Sequence, residues 1–199
     1  CAVMLDLGLK AQDTAPIEAL AARIGIDFEV VHTDIGKVVF ELRDERSPCA
    51  LCAKLRRGAL NSYAVAHGCN KVALGHNRED VIETFFMSLL YEGRINTFAP
   101  VTYLSRRNVS VIRPLVFLPE KYALGVARAR NLPVLPPNCD VAGHTKREEA
   151  KQLIAHLRTL SPDFEEKFMH ALSTTETYGL WDRMRLKPEE PKRAEEPQD

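Results

Sequence analysis

The stretch "KVALGHNREDVIETFF", residues 71–86, decides the fold. A short apolar run over 71–76 reads as a strand, Gly75 turns the chain, and 79–93 reads as a strongly apolar helix. Strand, tight turn and helix in that order is the repeating unit of an α/β domain, and ligands of such domains bind beyond the carboxyl ends of the strands. A glycine at the turn lets a phosphate-bearing ligand come close to the helix N-terminus. Asp80, beside that terminus, is a candidate for magnesium. Capping of the helix by Asn77 or Glu79 would account for the polar residues, but not for the Gly75–His76 pair.

The same alternation runs outward in both directions. Residues 2–7 and 27–35 read as strands and 14–25 as a helix, with Thr14 as a cap, Pro16 in the first turn and Gly25 at the end. Residues 37–47 read as short and irregular. Residues 49–68 read as a helix with an apolar stripe of Leu51, Leu55, Ala59, Tyr63 and Ala66. Beyond the central stretch, 102–115 reads as strands around a polar turn and 120–131 as a helix. Residues 133–145 read as a loop after a short strand, and 146–160 and 163–181 as helices. The expected fold is α/β with a parallel, Rossmann-like nucleotide-binding sheet and C-terminal helices. The expected division is an α/β domain over 1–135, a loop with helices over 136–186 that supplies Cys139, and a Pro/Glu/Lys-rich disordered tail over 187–199. Residues just after strands are the first site candidates: Asp6, Asp34, His76 to Asp80, and Arg113.

Composition narrows the class without naming it. A chain of 199 residues with 45 % hydrophobic side chains suits one domain with a real core. Its 27 basic and 27 acidic residues balance, so any nucleic-acid surface must be a local basic patch. No apolar run is long enough to span a membrane. Five cysteines in a pattern unlike a secreted disulfide framework point to a reducing, cytoplasmic compartment.

Cys49 and Cys52 stand three apart at a helix start and are followed by Lys54, Arg56 and Arg57. Residues at that spacing share a helix face. The helix N-terminus and the basic residues both favour thiolate, the form that binds metals or attacks. Cys139 lies in a polar loop among Pro136, Pro137 and Gly143. Cys69 reads as a buried small hydrophobe, and Cys1 carries no reading. Three thiolates suit an iron–sulfur cluster with one iron left open. They equally suit a zinc completed by His76 or His144, and the spacing leaves both open.

"CALCAKLRRGAL", "CNKVALGHNREDVIETFFMSLLYEGR" and "VIRPL" together resemble the PP-loop ATPases that thiolate tRNA, within them the tRNA 2-thiocytidine synthetase family. The resemblance runs from about Val3 to Thr159. It implies an enzyme that adenylates a pyrimidine C2 oxygen in the tRNA anticodon loop with ATP and then delivers sulfur. It implies a [4Fe-4S] cluster on Cys49, Cys52 and Cys139, and favours that cluster over zinc. It maps the family's LGHxxDD motif onto Gly75, His76, Glu79 and Asp80. Asp80 falls at the residue given to magnesium–ATP or catalysis, and Arg56 at a basic residue facing the nucleotide. Asp6 lies in the "LDLG" end of the strand, which the family sets near the adenine.

The family's SGGxDS phosphate loop has no counterpart here, and "CAVMLDLG" resembles its second strand. The sequence as given is therefore expected to be partial and to bind ATP poorly. A positive groove of Lys54, Arg56, Arg57, Arg94, Arg106, Arg107, Lys146 and Arg147 would receive the tRNA. A homodimer and a sulfur donor such as a cysteine desulfurase system are expected partners. The alternatives are a cluster-dependent sulfur transferase acting on uridine or a small molecule, and a non-catalytic zinc or RNA-binding module.

Overall fold

The computed structural model describes residues 1–43, 48–139 and 145–174. Expectations for the tail, for His144 and for the helix beyond residue 174 lie outside these residues. Strand β1 (Ala2–Asp6) pairs in parallel with β2 (Phe28–His32) across helix α1 (Ala15–Ile24). The crossover is short because α1 is cleanly bounded. Asp13 accepts a hydrogen bond from the Ala15 N–H, and Gly25 at φ 70° closes the end. The Thr14 hydroxyl does not cap the helix. It donates to Glu18 instead.

Residues 35–42, expected to be irregular in part, are helical: α2 (Ile35–Lys37) runs into a wider π-type turn over Val38–Leu42. Val39, 1 % exposed, anchors that turn in the core. Gly36 allows the close approach, since its N–H donates to the Leu7 carbonyl at 2.6 Å. Helix α3 (Pro48–Ala66) opens on the two cysteines and packs against β1, β3 and β5.

The second sheet has the order β3–β5–β4, from β3 (Lys71–Ala73), β4 (Val101–Leu104) and β5 (Val109–Ile112). β3 and β5 run parallel. β4 runs antiparallel to β5 because only a tight turn, with Asn108 at φ 51°, joins them. Between β3 and β4 lies α4 (Arg78–Glu92), whose Ile82 is fully buried. Helices α5 (Glu120–Ala129), α6 (Lys146–Leu160) and α7 (Phe164–Ser173) follow, and α6 and α7 pack on α4. Residues 132–139 form no strand.

The apolar segment 85–91 divides between two roles. Phe85 and Phe86 pack against Phe168 of α7, while Leu89, Leu90 and Tyr91 remain exposed. Among the described residues no helix is long and apolar enough to cross a membrane.

A Cβ at Gly36 would stand 2.7 Å from the Leu7 carbonyl oxygen and 2.6 Å from a Leu9 methyl. Gly36→Ala is therefore expected to cost about 1–3 kcal/mol in a urea titration, as overpacking against backbone does.

Candidate functional site

The parallel pairing of β3 and β5 puts the residues that leave them on one edge. His76 and Arg113 converge there on Phe98, His76 with ring centroids 4.8 Å apart and the Arg113 guanidinium 4.7 Å from the ring centre. Arg113 donates to the Ala99 carbonyl at 2.6 Å and to the Thr102 hydroxyl. Among the described residues it has no carboxylate ion pair. Phe98 was not singled out in the sequence. No spacing rule marks a loop aromatic that only strand pairing brings to the site.

Burial holds the His76 imidazole below its ordinary value. Asp80 pulls it up, while Arg113, Arg147 and Arg56 push it further down. Its Nδ1 is buried with no hydrogen-bond partner among the described residues. An unpaired buried nitrogen ringed by three cations fits a polar or anionic ligand. Gly75 keeps the approach open. Its φ is not positive, and a Cβ there would meet no described atom within 4 Å, so neither conformation nor packing requires glycine.

Asp80 is engaged on both carboxylate oxygens. One accepts from the Asn77 N–H at 2.9 Å, while Asn77 Oδ1 accepts from the Asp80 N–H, a reciprocal capping box that starts α4. The other accepts from Arg147 Nη1 at 3.0 Å. Arg147 also pairs with Glu83, which is 5 % exposed. Burial raises the Glu83 carboxyl and Arg147 opposes that rise. Glu79 turns away from the strand end and accepts from the Glu120 N–H at 2.8 Å, fastening α5 to α4.

The thiols form the second half of the site. Cys49 is exposed, Cys52 and Cys139 are half-buried, and all are free. Burial pushes the Cys52 thiol up, Arg56 pulls it down, and the Cys139 and Cys49 thiols push it up again. Cys139, far away in sequence, thus lies within electrostatic reach of Cys52. The Arg56 charge reaches both Cys52, whose thiol it pulls down, and His76, whose imidazole it pushes down. Among the described residues no three His, Cys, Asp or Glu side chains converge on a point that one metal ion would fill. The donor chemistry, three free thiols with Cys52 under the charge of the other two, is of the kind that an iron–sulfur cluster takes. Cys69 is half-buried rather than buried, its thiol directed at the His67 carbonyl.

Asp6 lies at the end of β1, within the loop system that reaches Cys139. Its carboxylate accepts from the Gly8 N–H at 3.0 Å and meets His32 Nδ1 at 2.8 Å. The Gly8 hydrogen bond, then the one to His32, holds its carboxyl below the usual carboxylate range. Of the expected basic groove, Arg147 is committed to Asp80 and Glu83, Lys146 to Glu149, and Arg107 to the Ser62 hydroxyl. Arg56 and Arg57 remain exposed on α3.

A parallel-sheet α/β core, a Gly–His strand end and a thiol trio beside an arginine define the class of PP-loop tRNA thiolases. In keeping with that, the U34-tRNA thiolase NcsA from Methanococcus maripaludis with its [4Fe-4S] cluster superimposes with a TM-score of 0.71 at 25 % identity. The match covers 90 % of this chain and 63 % of that one. No family model matches the chain. The tRNA-cytidine(32) 2-sulfurtransferase of Xanthomonas oryzae is 34 % identical over 187 residues, 92 % of this chain and 60 % of that protein. The tRNA-cytidine(32) 2-sulfurtransferase 1 of Francisella philomiragia is 31 % identical over 181 residues, 90 % of this chain and 71 % of that protein. The chain belongs to the tRNA-cytidine(32) 2-sulfurtransferase family. It spans less than two thirds of the length of the Xanthomonas relative.

Two measurements test this geometry. Arg147→Ala strands the buried Glu83 carboxylate and is expected to lower stability by about 1–3 kcal/mol, with Glu83→Gln recovering most of it in the same background. His76 has a folded-state pKa below its ordinary 6.5. The unfolded chain therefore binds more protons through the window just below that value, and stability falls as pH drops through it. Urea midpoints at about pH 7.5 and 5.5 are expected to fall further in wild type than in His76→Gln.

Proposed function

We propose that the chain serves in ATP-dependent 2-thiolation of a tRNA pyrimidine, a cytidine of the anticodon loop, with sulfur delivered at an iron–sulfur cluster held by Cys49, Cys52 and Cys139. The observation that carries this reading is the shared arginine. The Arg56 charge acts on both the Cys52 thiol and the His76 imidazole, which supports activation and sulfur delivery at one base. The reaction has two halves. ATP transfers its adenylyl group to the pyrimidine O2 and pyrophosphate leaves. A sulfide equivalent then adds at C2, and AMP departs with the oxygen. The names of the relatives and the cluster of the structural neighbour support the substrate and the cofactor.

The cluster, when bound, supplies an iron with no cysteine ligand on which incoming sulfur can be carried. The protein's own residues do the rest. Arg56 and Arg113 offer positive charge to the phosphates, and the neutral His76, with Nδ1 unpaired, offers a hydrogen-bonding group beside them. Gly75 leaves space for the ligand to approach the α4 N-terminus. Arg147 cancels the charge of Asp80 and Glu83, which would otherwise repel a nucleotide. Asp80 is the acidic group that would hold magnesium with ATP, and Asp6, at the end of β1, is the candidate beside the adenine.

Arg56 and Arg57, both exposed on α3, face the anticodon-loop phosphates. A desulfurase system supplies the sulfur, and the exposed Leu89, Leu90 and Tyr91 suit a second copy of the chain. The setting is the cytoplasm.

Anaerobic purification followed by iron, sulfide and zinc analysis tests the reading. About four irons and four sulfides per chain are expected, lost in Cys139→Ala. Stoichiometric zinc without sulfide would overturn the cluster. Replacing both Arg56 and Arg57 by Ala is expected to weaken tRNA binding and to flatten its salt dependence by about two phosphate contacts.

A further inference from the structure

Cys139 sits on a segment with no regular structure of its own. Residues 132–139, which follow α5, carry neither helix nor strand. Pro133, Pro136 and Pro137 stiffen this strap but remove three of its backbone donors, so a sheet ladder cannot hold it. Among the described residues, two side-chain bonds tie it down instead. Gln12 Nε2 donates to the Pro136 carbonyl at 2.6 Å, and Asn138 Nδ2 donates to the Lys10 carbonyl at 3.0 Å. They cross the chain at separations of 124 and 128 residues, so nothing local produces them.

Their anchor is itself fixed. The Gly8 N–H sits on Asp6, the Leu7 carbonyl accepts from Gly36, and Gly8 has the φ of 68° that lets the loop leave β1 sharply. Between loop and strap opens a cavity of about 390 Å³ whose wall includes Gly8, Lys10, Lys37, Asn138 and Cys139.

We propose that Asn138 and Gln12 are positioning residues: a two-bond clasp that sets Cys139 against Cys49 and Cys52. The inference rests on reading Cys139 as a cluster ligand. Cys49 and Cys52 come from one helix turn and keep their mutual spacing without help. The third thiolate comes from a strap and depends on the clasp for its distance to them. Ligand geometry must be held to fractions of an ångström, and groups that orient ligands tune occupancy strongly.

The test uses the full chain with Asn138→Ala, Gln12→Ala, both together, and Asn138→Asp, which keeps size and acceptor but removes the amide donor. In metal-free protein, diamide oxidation reads the approach of the Cys52 and Cys139 thiols through the rate of their disulfide, identified by peptide mass. In reconstituted protein, a chelator reads the rate of iron release. A urea midpoint on the metal-free chain reports stability. The clasp is expected to show as disulfide formation about tenfold slower and iron release about tenfold faster in the double variant, with the urea midpoint unchanged. Asn138→Asp is expected to match Asn138→Ala. Unchanged rates in the double variant, or changes that merely follow a lowered urea midpoint, would overturn the clasp. If wild type binds no iron, the cluster reading fails while the disulfide rate still decides the clasp.

Discussion

A buried carboxylate sets the terms for the strand-end site. Glu83 is 5 % exposed in the second turn of α4, and a charge there must be paired or neutralised. Arg147 of α6 pairs with it and, with the same Nη1, bonds Asp80. Asp80 in turn closes the capping box with Asn77 at the point where β3 gives way to α4. One guanidinium thus joins the C-terminal helices, the start of α4 and the turn that carries His76. Removing it would unseat α6 and loosen the N-terminus of α4 together, because the Asp80 carboxylate serves both.

What could be read from the sequence follows the range of the interactions. The Gly75–His76 turn, the CxxC on a helix start and the helix over 146–160 are local patterns, and each stands where its spacing puts it. Asn77 as a cap was legible for the same reason. Its reciprocal partner was given a magnesium role instead, since Asp80 as cap and Asp80 as ligand have one sequence signature. The π-type turn over Val38–Leu42 was missed because its stability comes from burying Val39, a tertiary event with no periodic signal in so short a segment. Arg147 was counted toward an RNA groove. Its partners lie 67 and 64 residues away, and an ion pair at that separation leaves no mark in a charge pattern. Gln12 was invisible for the same reason, whereas Asn138 at least stands next to a singled-out cysteine.

The electrostatics of the thiols connect the two halves of the site. Three thiolates brought together repel one another and lose solvation, and Cys52 registers both effects as a rise toward the protonated thiol. Arg56 offsets part of that cost, and a bound metal group would offset the rest while releasing protons. The same arginine helps keep His76 uncharged. Cationic charge at this position therefore favours anions on both sides, thiolate on one and phosphate on the other. Lysine would supply the charge, but it lacks the planar fork that can face two partners in different directions at once. An arginine whose charge reaches both the CxxC turn and the strand end couples the two halves of the proposed site.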